Sequence, residues 1–298
     1  MVTMGYGAAV AAAACAWGLT AAMHGPRRHR PGVRHLEVAQ PVEPGERLRV
    51  LTLNVAHGRG NRLVQRVMRR GRTETQLERI AGLLRREQAH VVALQEADAH
   101  AFWSGRFNHV DFLARRTGCA GYMQMRHVDG MGLAYGTALL ASCELREGSG
   151  GTFQPSPPTF PKGWISAVVP WAAIPAGAVR VVSVHLDFSR VRCRRSQLQE
   201  LAEALSAEPL PLVVMGDFNS DMRREAVLHD LMARLGLHTF EPAQPGLSTH
   251  PATRRRLDWI LVSRQLRFAG HAVLDETVSD HRAVTADLVP APADTTRQ

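Results

Sequence analysis

The stretch PLVVMGDFNSD (211–221) reads as a buried strand that ends in a reactive cluster. Leu212, Val213, Val214 and Met215 make a short continuous apolar run, the pattern of a strand covered on both faces. Gly216, Asp217, Phe218 and Asn219 follow without an intervening turn. Residues two apart on a strand project to the same face. Asp217 and Asn219 are therefore set to reach one small molecule at the strand's end.

The pattern repeats along the chain. VLTLN (50–54) ends at Asn54, and VVALQE (91–96) ends at Glu96. VVSVHLD (181–187) delivers His185 and Asp187, RRRLDWIL (254–261) embeds Asp258 in an apolar run, and SDHRAV (279–284) presents Asp280 and His281. Each alone has an ordinary reading. Asn suits a turn, a Glu after a strand is usually solvated, and Asp217 with Asn219 could form an Asx turn. A lone Asp258 could pair with an arginine, and a lone His281 could be a satisfied core residue. Together they describe one rim bearing several carboxylates, two Asn and two His. Clustered like charges repel unless a cation holds them. Hard oxygen donors without cysteine suit Mg²⁺ or Mn²⁺ carrying several waters and working on a phosphate.

The surrounding chain alternates strands and helices from about residue 47 to 290. Strands are expected at 47–54, 90–96, 132–142, 164–174, 178–187, 211–219, 257–263, 266–274 and 281–289. Leu77, Ile80, Leu83 and Leu84 recur at helical spacing within 75–86. Further helices are expected at 108–118, 194–206 and 225–236, with Gly118 as a stop. No internal repeat appears at a fixed period. Hairpin-like neighbours mixed with strand–helix alternation favour two packed sheets with helices outside.

Before this domain, residues 1–23 are uncharged and rich in Ala, which reads as a signal peptide, a membrane anchor or a disordered leader. Residues 24–46, rich in Pro, Gly and Arg, read as a linker, and 291–298 as a disordered tail. The localisation is thus left between a leader-directed one and the cytoplasm. The 298 residues carry a formal charge of +9, 45% hydrophobic and 21% charged residues. This is the composition of a globular protein with a substantial core. Its cations are nearly all arginine, with Lys162 the sole lysine. A basic surface attracts phosphate-rich partners, although arginine richness can equally reflect composition bias. Cys15, Cys119, Cys143 and Cys193 lack the spacing of a zinc site or the density of a disulfide framework.

TLNVAHG (52–58), VVALQE, GTALLAS (136–142), VVSVHLD, MGDFNS (215–220), RLDWILVS (256–263) and SDHRAV resemble, in order, the motifs of the endonuclease/exonuclease/phosphatase superfamily. The style is closest to bacterial DNase-like and sphingomyelinase-like members, and the resemblance spans about residues 47–289. It implies a DNase I-like four-layer α/β sandwich, with the active site where the two sheets present their loop ends. It also implies residue roles. Glu96 and Asn54 match the metal-binding pair, with Asp280 a metal or water ligand. Asp217 and Asn219 match the residues that orient the attacking water. His281 matches a phosphate clamp or base, and Asp258 its acidic partner. His185 matches the residue assigned to protonating the leaving oxygen.

Asp187, Arg194, Arg195 and His250 are candidates for substrate contact. Two segments depart from the motifs: the basic stretch 58–73 and the Pro-rich loop TFQPSPPTFPKGW (152–164), which could shape the rim. The leading expectation is a monomeric, Mg²⁺- or Mn²⁺-dependent phosphodiesterase, nuclease-like, with nucleic acid or a phospholipid headgroup as partner. A sphingomyelinase- or phosphoinositide-type phosphoesterase is the second reading. A non-catalytic phosphate-binding module is the third, though such a module should have lost Glu96, Asp217 or His281. No obligate protein partner is implied.

Overall fold

In the computed structural model, which describes residues 27–37, 40–62 and 65–292, Leu77, Ile80, Leu83 and Leu84 lie on the buried stripe of α1 (Arg70–Glu87). That stripe packs with α2 (His109–Thr117) onto one sheet. Two further helices, α3 (Val191–Leu205) and α4 (Val227–Leu235), cover a second sheet. A third apolar cluster lies between the sheets, among them Val50, Leu139, Ile165, Val181, Val213 and Ile260. Burying one such side chain contributes roughly 1.5–3 kcal/mol, and three continuous apolar layers fix four layers of structure. This is the expected α/β sandwich.

The strands, in chain order, are β1 (Arg27–His29), β2 (Arg34–His35), β3 (Leu48–Asn54), β4 (Val91–Ala101), β5 (Gly121–Gly130), β6 (Leu133–Ala141) and β7 (Arg146–Thr152). They continue as β8 (Gly163–Pro170), β9 (Ala178–His185), β10 (Leu212–Asp217), β11 (Leu237–Thr239), β12 (Asp258–Ser263), β13 (Leu266–Val273) and β14 (Val284–Pro290). One sheet runs β1-β7-β8-β9-β10-β12-β11 and the other β13-β14-β3-β4-β6-β5-β2. Only β9–β10 and β3–β4 pair parallel; each of those two connections passes through a helix, as parallel neighbours require.

The helix α1 starts earlier than its apolar spacing indicates, because Arg69 at its N-cap makes no side-chain capping bond and gives no start signal. Strands β5 and β7 escape a periodicity reading. β7, REGSGGT, looks like a loop, yet its glycines permit close packing of the two sheets. A Cβ at Gly148 would lie 1.9 Å from Met123 Cε. The segment 24–46 is more than a linker: β1 pairs β7, β2 pairs β5, and Leu36 is buried. Such short edge strands carry too few residues for a pattern. The leader 1–23, with Cys15, and residues 293–298 of the tail lie outside the described residues. Among the described residues no helix is long and apolar enough to cross a membrane.

Register places the chemistry. Gly163 is the Cα partner of His185, His185 of Asp217, and Asp217 of Asp258. One transverse row therefore brings β8, β9, β10 and β12 to a common end. In the other sheet Asn54 faces Gln95, beside Glu96. Below this rim a polar seam joins the sheets, with Gln95 Nε2 donating to Ser183 Oγ at 3.1 Å and Ser183 Oγ to the Leu94 carbonyl at 3.2 Å. Gly216, with φ +149°, lets β10 approach β9 so closely that a Cβ would sit 2.0 Å from the Val184 carbonyl oxygen.

The turn after β9 is clasped to its neighbours. Asp187 accepts from Ser189 N and Oγ and from Arg190 N, and its other oxygen accepts from Ser156 Oγ and Thr159 Oγ1 of the Pro-rich loop. Burial would raise this carboxyl, but these hydrogen bonds hold it below the usual range. Gln197 accepts from Asp187 N, while Arg194 donates to the Asp187 carbonyl and forks onto Glu225 at 2.7 and 2.8 Å.

Two consequences can be measured. Gly216→Ala should lower unfolding free energy by about 3 kcal/mol in urea titrations, through strain and overpacking. Arg194→Met should cost about 2 kcal/mol of stability, because it removes the buried guanidinium that ties the Asp187 carbonyl to the half-buried Glu225. The KM of the folded Arg194 variant should stay unchanged, since the guanidinium is committed to the clasp.

Candidate active site

The transverse row and the opposite sheet meet at Asp217. Its Oδ2 accepts from Asn54 Nδ2 at 3.0 Å and from Asn219 Nδ2 at 3.3 Å. It also lies 3.5 Å from His185 Nε2 and 3.8 Å from His281 Nε2. Asp217 Oδ1 accepts from Asn219 N at 2.9 Å, so the Asx turn and the shared cleft coexist. His281 Nδ1 is held by Asp258 Oδ2 at 2.8 Å. His250 packs edge-on against His281, 4.9 Å between ring centroids.

Glu96 faces this group from β4, with Oε1 3.9 Å from His185 Nε2. Asp280 joins through Arg59, whose guanidinium spans Glu96 Oε2 at 3.0 Å and Asp280 Oδ2 at 2.5 Å. Seven of the sequence candidates, Asn54, Glu96, His185, Asp217, Asn219, Asp258 and His281, thus line one cleft. Asp187 and Arg194 sit in the clasp behind it, and Arg195 lies exposed on α3 with no polar side-chain partner among the described residues.

Backbone strain concentrates here. Ala56, His57, Glu96 and Asn219 all have φ near +50°, a region that costs of order 1–3 kcal/mol per non-glycine residue. Sheet pairing and the side-chain network hold them in it.

The charges are matched in a buried setting. Burial would raise Glu96, but His57, Arg59, Lys162 and His185 outweigh it and hold the carboxyl well below its usual range. Burial pushes Asp217 up to about 7 against the pull of His281. Burial works against the His281 cation, yet Asp258 and Asp217 raise it to about 10. His185 is driven well below its usual value by burial and then by the charge of Lys162. The two imidazoles therefore differ in kind: His281 is held as a cation and His185 as a neutral ring.

Four residues enter that the motif reading did not assign. His57 stands between Asp98 Oδ1 (2.6 Å) and Glu96 Oε2 (3.3 Å), and Asp98 also accepts from Trp103 Nε1 and Ser104 Oγ. Arg59 and Lys162 supply the cations. His57 lay within TLNVAHG and Asp98 two residues beyond Glu96, so their spacing was a usable signal. Arg59 and Lys162 sit in the two departing segments, where nothing local marks them.

A divalent cation suits these donors. Asp217, Asp258 and His281 offer ligand atoms all within 4.8 Å of one another. However, His281 Nδ1 and Asp258 already bind each other, which makes that group a hydrogen-bonded pair beside a carboxylate. Glu96 fits better: no hydrogen bond among the described residues reaches Oε1, which leaves an anionic oxygen directed at the cleft. Asn54 Oδ1 accepts from Ala56 N, and Asp280 Oδ2 from Arg59, and each oxygen keeps a second lone pair for such an ion.

Comparison with known proteins agrees with this architecture. A structure from Beutenbergia cavernae described as endonuclease/exonuclease/phosphatase is similar at TM-score 0.64 and 19% identity, covering 83% of this chain and 72% of that one. The human Nocturnin catalytic domain with bound sulfate is similar at TM-score 0.61 and 19% identity, covering 88% and 98%. The mannosyl-6-phosphatase of Bacteroides thetaiotaomicron is similar at 0.60 and 18%, covering 81% and 99%. At these identities the likeness is one of fold. No curated protein matches the chain in sequence. The model of the Endonuclease/Exonuclease/phosphatase family matches residues 51–281. With the motifs in order along one cleft and most of its length matched, the chain belongs to that family.

Proposed function

We propose that the protein is a divalent-metal-dependent phosphodiesterase of nuclease type. The observation that carries this reading is the convergence on one carboxylate oxygen, Asp217 Oδ2, of Asn54, Asn219, His185 and His281 from both sheets. Asp217 and Asn219 orient a water, and Asp217 takes its proton as the oxygen attacks phosphorus in line. Raised toward neutrality, Asp217 is a stronger base than an exposed carboxylate. His281, held cationic by Asp258, grips a phosphate oxygen and stabilises charge that grows in the transition state. His185, held neutral, can donate a hydrogen bond to the leaving oxygen, which takes its proton from solvent as its bond to phosphorus breaks. Glu96, supported by Asn54 and with Asp280 behind Arg59, would hold Mg²⁺ or Mn²⁺. Such an ion supplies Lewis-acid neutralisation of a non-bridging oxygen.

Nucleic acid is favoured by charge. A cavity of about 460 Å³ is lined by Arg62, Arg66, Val67, Met68, Arg69 and Arg72. Among the described residues, none of those four arginines forms an ion pair. They follow Arg59 directly along the chain, and free guanidinia track a phosphate backbone. One observation favours a phospholipid instead: Phe188 and Val191, beside the clasp, are 64% and 40% exposed, as an interfacial enzyme would require.

The deciding measurement is turnover of single- and double-stranded DNA, RNA, sphingomyelin vesicles, phosphoinositides and bis(p-nitrophenyl) phosphate, with Mg²⁺ and with EDTA. Nuclease activity that falls steeply with salt is expected, and activity on vesicles alone would replace this reading with the lipid one. Asp217→Asn should reduce kcat by about 10³-fold, assayed on the aryl diester. The kcat profile should be bell-shaped. It should rise as Asp217 loses its proton near neutrality and fall at alkaline pH as His281 loses its own, the two limbs belonging to the coupled pair. A profile flat from pH 5 to 10 would contradict these roles.

A further inference from the structure

Lys162 is the one lysine in a chain with 36 basic residues counted as Lys plus Arg. Everywhere else the protein uses arginine. Lys162 is only 8% exposed. Its backbone carbonyl accepts from Phe153 N, which fixes the end of the Pro-rich loop. It immediately precedes Gly163, the first residue of the row that runs through His185 and Asp217 to Asp258.

Its ammonium makes no hydrogen bond and no ion pair among the described residues. Burial lowers the ammonium's pKa, and the charges of Glu96, Asp217 and Asp187 work against that. Conversely its charge acts on Glu96, His185 and His127. Lys162 is therefore a largely buried residue beside the Gly163–His185–Asp217–Asp258 row, and its ammonium has no protein partner among the described residues. A buried charge without a direct partner is expensive, and an anion arriving in the cleft would supply one. Lysine suits that place better than arginine. An ammonium is a compact point charge with three rotatable donors, whereas the planar guanidinium fork needs width.

We propose that the Lys162 ammonium binds a non-bridging oxygen of the scissile phosphate. This assignment rests on the phosphoester-hydrolase reading of the same cleft. Lys162 then shares the phosphate with His281. It approaches from the end of β8, whereas His281 follows the edge of the other sheet. No bond to Lys162 forms or breaks; it stabilises the extra negative charge of the pentacoordinate transition state. The competing account makes Lys162 only a counter-ion that keeps Glu96 and Asp217 together.

The sole lysine makes a clean test. Reductive methylation with ¹³C-formaldehyde labels Lys162 and the chain's N-terminal amine only, two resolvable signals. Titrating inorganic phosphate with Mg²⁺ present should shift the Lys162 signal saturably, at the concentrations that inhibit turnover of bis(p-nitrophenyl) phosphate. No shift at inhibitory phosphate would overturn the assignment.

In parallel, Lys162→Gln should lower kcat/KM on that diester by about 10²-fold or more. Lys162→Arg should recover only part of the loss. Removing a positive charge beside Glu96 should leave Mg²⁺ affinity, read by calorimetry, equal or tighter. Activity of the Gln variant within threefold of the parent sinks the proposal, as does a loss of Mg²⁺ binding that accounts for the lost turnover. If the Gln variant does not fold, Lys162→Met and the labelled parent protein decide the matter. Should the unmodified protein hydrolyse no ester at all, the phosphoesterase reading fails, and phosphate binding at Lys162 is still judged by its signal.

Discussion

Asp217 accepts hydrogen bonds from both halves of the molecule, and the cleft is built around that fact. Asn54 donates to it across the gap between the sheets, while Asn219 closes on it from the following turn. Both are amide donors, so the contacts hold whatever the protonation state of the imidazoles nearby. The carboxylate cannot be displaced without breaking the β9–β10–β12 row or opening the sheets at their rim. Two apolar helix layers and an apolar inter-sheet layer keep that rim closed, and the Gln95–Ser183 seam joins the sheets just beneath it.

The second governing constraint is charge in a low-dielectric place. Glu96, Asp98, Asp217 and Asp258 are all substantially buried, and each is set against a cation or an imidazole. Two Asp–His pairs result, Asp98–His57 under Glu96 and Asp258–His281 beside Asp217. Each Asp fixes its ring through Nδ1 and turns Nε2 toward the carboxylate that faces the cleft. The left-handed backbone at Ala56, His57, Glu96 and Asn219 is the conformational counterpart of this crowding. It belongs to the positions that must aim side chains rather than to the sheets that carry them.

Much of this was legible in the chain. Strands β3, β9 and β10 announce themselves because apolar runs end abruptly in Asn, His or Asp, and β12 because Asp258 opens one. Helix α1 shows its stripe at Leu77, Ile80, Leu83 and Leu84. What periodicity could not show was β7, whose glycines look like loop but permit close sheet packing, and β1 and β2, too short to carry a pattern. The clasp reveals a similar limit. Asp187 and Arg194 have the residue types of substrate contacts, yet they spend their hydrogen bonds on Thr159, Ser189 and Glu225.

The order and identity of the polar strand ends are properties of the sequence, because apolar runs and a two-residue period act locally. Which of those ends meet is decided by strand register and sheet packing, which join residues tens to more than two hundred positions apart. Arg59 bridging Glu96 to Asp280, and Lys162 buried one residue before the Gly163–His185 pairing, exist only in the folded chain. Their local surroundings are an arginine-rich stretch and a proline-rich loop. Only the assembled sheets give those two cations a purpose.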